Sequence, residues 1–351
     1  EGWFRAGEQA MVAQLLVRRR TDKNIRPFSM RRDLAQLADL IELAFRAELE
    51  QSASSIATEM RQLARVGPLL WLFGTSQTLF PPLMGGYVWI EEGQLVGNVT
   101  LSIDSRQRGL WMVSNVAVHP DFRGRGIARK LMEVTLQEAR SRDARWVALE
   151  VRTDNMAAQH LYRELDFQVY DTVAEFSLPV QRWPRGIQDP SLPLRRRSPD
   201  DWQGLRDLAR SATPAAVQEM RPISPYRYQM GMERRVGQWL DNLFYRRRSS
   251  DWVLEEGGQI VAFLQLTGHQ RRAAHQLQMT VHPKDRGSVE TQLLAAGLHW
   301  LNRFPARKIA CTVSGSHPEA QCAFREAGFD AARRLNHMRL DMRHGKERTG
   351  Q

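Results

Sequence analysis

The fold is decided by residues 113–139, which read VSNVAVHPDFRGRGIARKLMEVTLQEA. The β-branched residues Val113, Val116 and Val118 predict a β-strand, and apolar residues at helical spacing after Gly126 predict an amphipathic helix. Between them, Gly124 and Gly126 permit a backbone that exposes successive N–H groups at a helix N-terminus, which favours an anion. The arginines around this turn are Arg123, Arg125 and Arg129. The stretch predicts a phosphate-binding turn, and a glycine-rich connection without a ligand is the alternative.

A second block of motifs follows about twenty residues later along the chain. The apolar run WVALEVR at 146–152 predicts another strand, and Asn155 opens a short helix that reads NMAAQHLYRELDF. Together the two blocks resemble the GNAT family of acetyl-CoA-dependent N-acetyltransferases. Within that family their residue pattern is similar to that of ribosomal-protein alanine N-acetyltransferases. The signature Q/R-x-x-G-x-G/A is matched by Arg123, Gly126 and Ala128, and the later block by Leu149, Val151, Asn155, Ala158, Leu161, Tyr162 and Phe167.

The resemblance implies acetyl-CoA as the acyl donor and no metal ion. The pantetheine arm of the coenzyme would pair with the backbone of Val116, Ala117 and Val118. The pyrophosphate would lie on the turn formed by Arg123, Gly124, Arg125, Gly126, Ile127, Ala128 and Arg129. Asn155 would bond the pantetheine arm or orient the following helix, although an asparagine at a helix N-terminus is also an ordinary cap.

The resemblance also suggests the catalytic residues. Tyr162 matches the general acid of the family, whose phenol can donate a hydrogen to the departing sulfur, and a tyrosine that is only packed is the alternative. Glu150 is the candidate general base, because strand alternation turns it away from the face of Leu149 and Val151. A solvated strand carboxylate is the competing interpretation of Glu150. His119 recurs in a second copy of the motif, which favours a role in forming the turn.

The rest of the first half predicts further helices and strands by its apolar spacing. They are a short strand at 25–28, helices at 32–45 and 54–66, a long loop at 67–85, a hairpin of YVWIEE and QLVGNVTLSID, and a terminal pair of strands near 168–170 and 173–178. Asp166 stands where the family usually has glycine, and we expect the turn there to be preserved, because aspartate tolerates left-handed backbone.

The second half of the chain repeats the first. WVLEEGGQIVAFLQL at 252–266 parallels WIEEGQLVGNVTL, MTVHPKDRGSVE parallels VAVHPDFRGRGI, and EAQCAFREAGF at 319–329 parallels AAQHLYRELDF. The predicted fold class is therefore α/β (α+β), with two tandem GNAT-like domains that each have a mixed central sheet and helices on both faces. The predicted bounds are an N-terminal extension at 1–23, a catalytic domain at 24–179, a linker at 180–192, a degenerate domain at 193–343 and a tail at 344–351.

The second copy departs from the motif where the chemistry is expected. Val289, Glu290 and Thr291 stand where the first copy has Gly126, Ile127 and Ala128, and they bring β-branched side chains and a carboxylate to the phosphate turn. Phe324 replaces Tyr162, and His317 stands opposite Asn155. We therefore expect a second domain with a structural role, the alternative being a changed ligand.

Composition sets wider limits. The 351 residues contain two cysteines without a zinc or disulfide pattern, so we expect a reducing, cytoplasmic setting. The apolar stretch 69–90 is broken by polar residues and prolines, so no membrane segment is expected, and Met11 is a candidate start. The net charge of +11 suggests nucleic acid, but only five of the 50 basic residues are lysine and the arginine runs lie in predicted linkers and loops. A solvated surface is the preferred interpretation.

The sequence thus predicts an acetyl-CoA-dependent N-acetyltransferase, an acyltransferase of groups other than amino-acyl groups. It would move the acetyl group to a primary amine, on a small molecule or a protein N-terminus, by direct attack in a ternary complex. The alternative is an acyl-CoA-binding regulatory or nucleic-acid-associated protein with a non-catalytic GNAT fold. The amine acceptor and the oligomeric state are not readable from the chain.

Overall fold

The computed structural model describes residues 22–44, 85–104, 107–184, 186, 192–229, 247–270 and 273–343. The predicted helix at 54–66 lies outside these residues, as does nearly all of the predicted loop at 67–85. The elements of the first half are β1 (Ile25–Pro27), α1 (Met30–Ala44), β2 (Gly85–Glu91), β3 (Gln94–Ile103), β4 (Leu110–Val118), α2 (Ile127–Ser141), β5 (Trp146–Arg152), α3 (Met156–Glu164) and β6 (Gln168–Leu178).

The second half repeats this order of elements. They are β7 (Leu194–Arg196), α4 (Trp202–Ala212), α5 (Ala215–Met220), β8 (Arg247–Glu256), β9 (Gln259–His269), β10 (His275–Val281), α6 (Glu290–Leu301), β11 (Ile309–Ser314), α7 (Pro318–Glu326) and β12 (Asp330–Asp341). No helix in the described part of the chain is both long and apolar enough to span a bilayer.

The chain forms two compact units whose bounds differ from the two halves of the sequence. Within the described residues, the first unit comprises 22–150, 157–168 and 338–343, and the second comprises 151–156 and 169–337. Most of β6 therefore belongs to the second unit, although its sequence ends the first half. The end of β12 belongs to the first unit, where the Met342 N–H donates to the Arg145 carbonyl at 3.0 Å.

The first unit has a mixed sheet in the order β1-β2-β3-β4-β5. All neighbouring pairs are antiparallel except β4 and β5, which run parallel. The register aligns Val88, Asn98 and Ala117 in one row across three strands, and α1 covers this face through Leu37, Leu40 and Ile41. Helix α2 covers the other face so closely that a Cβ on Gly97 would lie 2.9 Å from the Ile127 side chain.

The second unit has a sheet in the corresponding order, β6-β11-β10-β9-β8-β7, again with one parallel pair, β10 and β11. Helix α6 packs on the apolar face, where a Cβ on Gly297 would lie 2.7 Å from a Leu277 methyl group. Helix α4 packs through Leu205 and Leu208 against Val253 and Phe263 on the opposite face. Each unit therefore has helices on both faces of a mixed sheet, as the sequence predicts.

Most predicted elements of the first half are confirmed, with small changes at their ends. The hairpin, the strand before the turn, the helix after it and the strand at 146–152 are all present. The first helix begins at Met30 instead of the predicted Arg32. The terminal pair predicted near 168–170 and 173–178 is wrong, because β6 is one continuous strand paired with β11.

Candidate functional site

The turn at 123–129, called the phosphate turn because the sequence predicts that it binds phosphate, has the backbone that its glycines predict. Gly124 and Gly126 have φ values of 77° and 76°, and Gly126 is the N-cap of α2. These angles are costly for residues with a Cβ, so the turn depends on glycine. A Cβ built on either glycine meets no atom within 4 Å, so the space in front of the turn is open.

The N–H groups of this turn are available to a ligand. Within the described residues, no protein acceptor receives a hydrogen bond from the backbone N–H of Gly124, Arg125 or Gly126. The first intrahelical bond after them is Lys130 N–H to the Gly126 carbonyl at 3.1 Å. Unpaired donors at the positive end of a helix dipole form an anion site.

The arginines of the turn are held by different partners. Arg123 Nε donates to the Val118 carbonyl at 3.2 Å. The Arg125 guanidinium stacks 4.7 Å above Phe122 and is 3.5 Å from Glu91, which leaves it more than half exposed beside the turn. Arg129 forms an ion pair with Glu164 at the end of α3, so the start of α2 and the end of α3 lie together.

Strand β4 contains a bulge just before the turn. The register of β3 and β4 shifts between Asn98 and Thr100, and Asn115 adopts φ 50°, a left-handed value unusual for a residue other than glycine. Asn98, which is 1% exposed, donates from Nδ2 to the Asn115 carbonyl at 2.9 Å. Since the C=O and N–H of a trans peptide point in opposite directions, the Val116 N–H is directed away from Asn98.

The end of β4 is also separated from β5. The parallel pairing of these strands runs from Leu110–Trp146 to Val113–Leu149, although β4 continues to Val118. Val118 and Ala117 pair with Gly97 and Asn98 on the β3 side. The predicted pantetheine residues, Val116 to Val118, therefore form the part of β4 that lies beyond its pairing with β5.

Glu150 has the orientation that strand alternation predicts. Its neighbours Leu149 and Val151 are buried at 2% and 6% exposure, whereas Glu150 is exposed on the other face of β5. The base role assigned to it remains a prediction. Asn155 lies in segment 151–156, which belongs to the second unit, so its contact with the coenzyme also remains a prediction.

Tyr162 is a buried residue of α3. It is 6% exposed, its ring lies 6.0 Å from Phe167, and its carbonyl accepts from Phe167 N–H at 2.9 Å. Burial raises the pKa of the Tyr162 phenol to about 12. Within the described part of the chain, no group hydrogen-bonds to the hydroxyl. Asp166, where the family usually has glycine, adopts φ 64°, so the turn after α3 is preserved, as predicted.

In the second unit, the corresponding phosphate turn is filled by its own carboxylate. Glu290, at 3% exposure, accepts from the Gly287 N–H at 2.8 Å through one oxygen. Its other oxygen lies 2.7 Å from His317 Nε2, and His317 is also buried. Gly287 corresponds to Gly124 in the repeat, so a donor that is open in the first turn is already satisfied in the second.

The second unit also lacks the bulge of β4. Strands β9 and β10 pair without a register shift from Gln276–Thr267 to Val281–Ala262. Phe263 stands where the first half has Asn98, so the amide that holds the bulged carbonyl is missing. The two histidine turns are nevertheless alike, since His119 and His282 each accept a backbone N–H at 3.3 Å. This similarity supports a turn-forming role for His119.

Comparison with known proteins identifies the first half. Residues 46–167 match the model of the Acetyltransferase (GNAT) family. This match assigns a GNAT acetyltransferase domain to residues 46–167. An acetyltransferase of Pectobacterium atrosepticum is 33% identical over 81 residues, which are 23% of this chain and 55% of that protein. A Bacillus subtilis protein named for alanine N-acetylation of ribosomal protein bS18 is 33% identical over 66 residues, which are 17% of this chain and 44% of that protein. The chain thus spans about half the length of the curated relatives it matches.

Solved structures extend the similarity to both halves. A GCN5-related N-acetyltransferase from Sphaerobacter thermophilus superposes with a TM-score of 0.59 over 92% of this chain and 97% of that one, at 18% identity. A tandem GNAT protein from the clavulanic acid biosynthesis pathway superposes with a TM-score of 0.53 over 91% of this chain and 98% of that one, at 20% identity. At these identities the likeness concerns the fold, and it confirms the predicted tandem arrangement of GNAT folds.

Two parts of this geometry were missed by sequence reasoning. The first is Asn98 and the bulge that it holds at Asn115. Replacement of Asn98 by Phe263 in the repeat is the one sequence signal that points to it. The second is the hydrogen bond by which Glu290 fills its own turn, since the sequence indicates only that a carboxylate is nearby.

Proposed function

We propose that the chain is an acetyl-CoA-dependent N-acetyltransferase whose active site lies in the first unit. The observation that carries this proposal is the set of open backbone N–H groups at Gly124, Arg125 and Gly126, directly after the bulged end of β4. The repeat supplies a contrast, because the corresponding donor at Gly287 is satisfied by Glu290. An open donor set suits the pyrophosphate of a coenzyme.

In this proposal the coenzyme is bound mostly by backbone. Val116, Ala117 and Val118 pair with the pantetheine amides along the free edge of β4. The pyrophosphate accepts from the turn between Arg123 and Arg129, and the exposed Arg125 adds a charge-assisted contact. Acetyl-CoA acts as a substrate, and no metal ion takes part.

Acetyl transfer proceeds by direct attack. The neutral amine nitrogen attacks the thioester carbonyl carbon, and the carbonyl oxygen becomes an oxyanion that accepts the Val116 N–H. Asn98 fixes the direction of that N–H by holding the Asn115 carbonyl on the opposite side of the same peptide. Collapse of the intermediate breaks the C–S bond and forms the amide.

The two proton transfers are assigned to two side chains. Tyr162 donates a hydrogen to the departing sulfur, and its raised pKa of about 12 keeps the phenol protonated throughout the pH range in which amines react. The attacking nitrogen loses its proton to Glu150, directly or through water. Free coenzyme A and the N-acetylated amine are the products, so atoms and charge balance.

An amine panel tests this function. The purified full chain is incubated with acetyl-CoA and primary amines, including a peptide that begins with alanine, and free thiol is followed with a thiol-specific dye. We expect thiol release together with an acetylated amine of matching mass. Binding of acetyl-CoA without thiol release for any amine would instead support the regulatory alternative.

A further inference from the structure

We propose that the second unit binds a small carboxylic acid that also carries hydroxyl or amide groups. The site is a cavity of about 510 Å³ on the face of its sheet that α4 covers. This volume falls within the range of small-molecule pockets. The inference is independent of the acetyl transfer proposed above, because every residue used in it belongs to the second unit.

The floor of the cavity is a polar patch that crosses four strands. The register of β8, β9 and β10 places Gln265 between Asp251 and Gln278, and Thr267 between Ser249 and Gln276. Thr312 of β11 continues the floor beyond β10. The residues that alternate with these, including Leu264 and Leu277, face the apolar core under α6. Polarity on one face only is unusual for a sheet covered by helices on both sides.

The amide groups of this floor are not used to hold the fold together. Within the described residues, no group hydrogen-bonds to the side-chain amides of Gln265, Gln276 or Gln278. Each amide can donate and accept at once. Hydroxyl and amide groups of a ligand also donate and accept hydrogen bonds at once. Three such side chains in one patch therefore suit a ligand that carries hydroxyl or amide groups.

Charge selects a carboxylate among such ligands. Arg197 on the cavity wall is 8% exposed, lies 3.2 Å from Asp251 and donates to the Tyr228 carbonyl. The charged residues of the described lining are Arg197, Arg227 and Asp251, so that lining is positive by one charge. A positive lining favours a ligand that carries a negative charge.

The shape of the cavity also limits the ligand. Leu205, Leu208 and Phe263 form an apolar wall beside the polar floor. A ligand with a short carbon chain can contact this wall while its polar groups meet the glutamines. A bare acid such as acetate would leave the amides without partners.

The test is saturation-transfer NMR on the full chain with two matched pairs of probes. Gluconate is compared with glucose, and N-acetylglutamine with its carboxamide, each at about 5 mM, a concentration that detects dissociation constants of roughly 1 mM. We expect transfer to at least one acid, and a titration of each pair should give a dissociation constant at least tenfold larger, on the order of 1.4 kcal/mol, for the neutral partner. Absence of transfer to both acids, or equal transfer to acid and neutral partner, would overturn the proposal.

Variants and a competitor locate the site. The double variant Gln276→Leu, Gln278→Leu should abolish the signal, because both side chains are exposed parts of the floor. Gln259→Leu is the matched control, since this exposed glutamine of β9 lies outside the cavity lining, and its signal should equal that of the parent. Coenzyme A should leave the signal unchanged. Displacement by coenzyme A, or a signal that survives in a folded double variant, would refute this location.

Discussion

The two halves of the molecule share a fold and differ at three points where the chemistry is expected. The first half has an open phosphate turn, a bulged β4 held by Asn98, and a buried phenol at Tyr162. In the second half Glu290 fills the turn, β10 is regular, and Phe324 takes the place of the tyrosine. Both halves keep a buried apolar core, so these differences lie at the predicted site.

The filled turn shows how a binding site can become part of the structure. A helix N-terminus has unsatisfied N–H groups that need an acceptor. In the first half a ligand can supply that acceptor, whereas in the second half a buried glutamate does so and is itself paired with His317. The carboxylate of Glu290 therefore accepts from a turn N–H whose counterpart in the first half is open to a ligand.

The largest expected effect comes from copying the phenylalanine of the second half into the first. Tyr162→Phe removes one oxygen and keeps the ring packing against Phe167. We expect kcat to fall by about 10²-fold or more, because the departing sulfur loses its hydrogen donor, while stability barely changes. Turnover with the best amine of the panel and a urea midpoint measure the two quantities.

The reverse exchange is the control for this variant. Phe324→Tyr should create no second active site in the full chain, because the turn beside it is still filled by Glu290. Activity of Tyr162→Phe at the parental level would remove Tyr162 from the mechanism.

The second prediction concerns Glu290 and its two buried contacts, with the Gly287 N–H and with His317. Glu290→Ala should lower the free energy of unfolding by about 2 kcal/mol, since His317 and the Gly287 N–H lose a buried partner. The variant should still bind one acetyl-CoA per chain by calorimetry, because the bulge is absent from β10. If the parental chain binds two coenzymes, the second half also has a coenzyme site and the proposed difference between the halves is wrong. If only the variant binds two, Glu290 alone prevents coenzyme binding in the second half.

Local features of the site could be predicted from sequence, and features that depend on distant neighbours could not. The left-handed angles at Gly124, Gly126 and Asp166 follow from the residue types at those positions. The exposure of Glu150 follows from strand alternation. The bulge at Asn115 depends on the register with β3. The place of β6 in the second unit depends on its pairing with β11, which lies more than a hundred residues away.

The third prediction tests the open turn by adding charge to it. Asparagine and aspartate both tolerate left-handed backbone, so Gly126→Asn and Gly126→Asp differ mainly in one negative charge. We expect the aspartate variant to weaken acetyl-CoA binding by about tenfold relative to the asparagine variant, which is roughly 1.4 kcal/mol. Calorimetry on both folded variants measures this difference, and equal affinities would contradict the phosphate assignment.

The fourth prediction tests the bulge. Asn98→Leu keeps the side-chain shape but removes the Nδ2 donor to the Asn115 carbonyl. We expect kcat to fall by about tenfold with little change in KM for acetyl-CoA, because the oxyanion donor is misdirected while the phosphate turn is intact. Thr100→Val is the matched control, since it removes only contacts of 3.4 Å to the two amides and should stay near the parental rate.

The smallest expected effect belongs to Glu150, whose exposure allows water to replace it. Glu150→Gln should lower kcat by about fivefold, because the amide cannot accept the proton of the amine. The affinity for acetyl-CoA should be unchanged, since the charge lies on β5 and outside the phosphate turn. Glu133→Gln, an exposed glutamate of α2, is the control for a general loss of negative charge. If Glu150→Gln keeps the parental kcat, the proton leaves through water and Glu150 is an exposed strand residue without a catalytic role, a result that would leave Tyr162 as the one catalytic side chain in which the two halves differ.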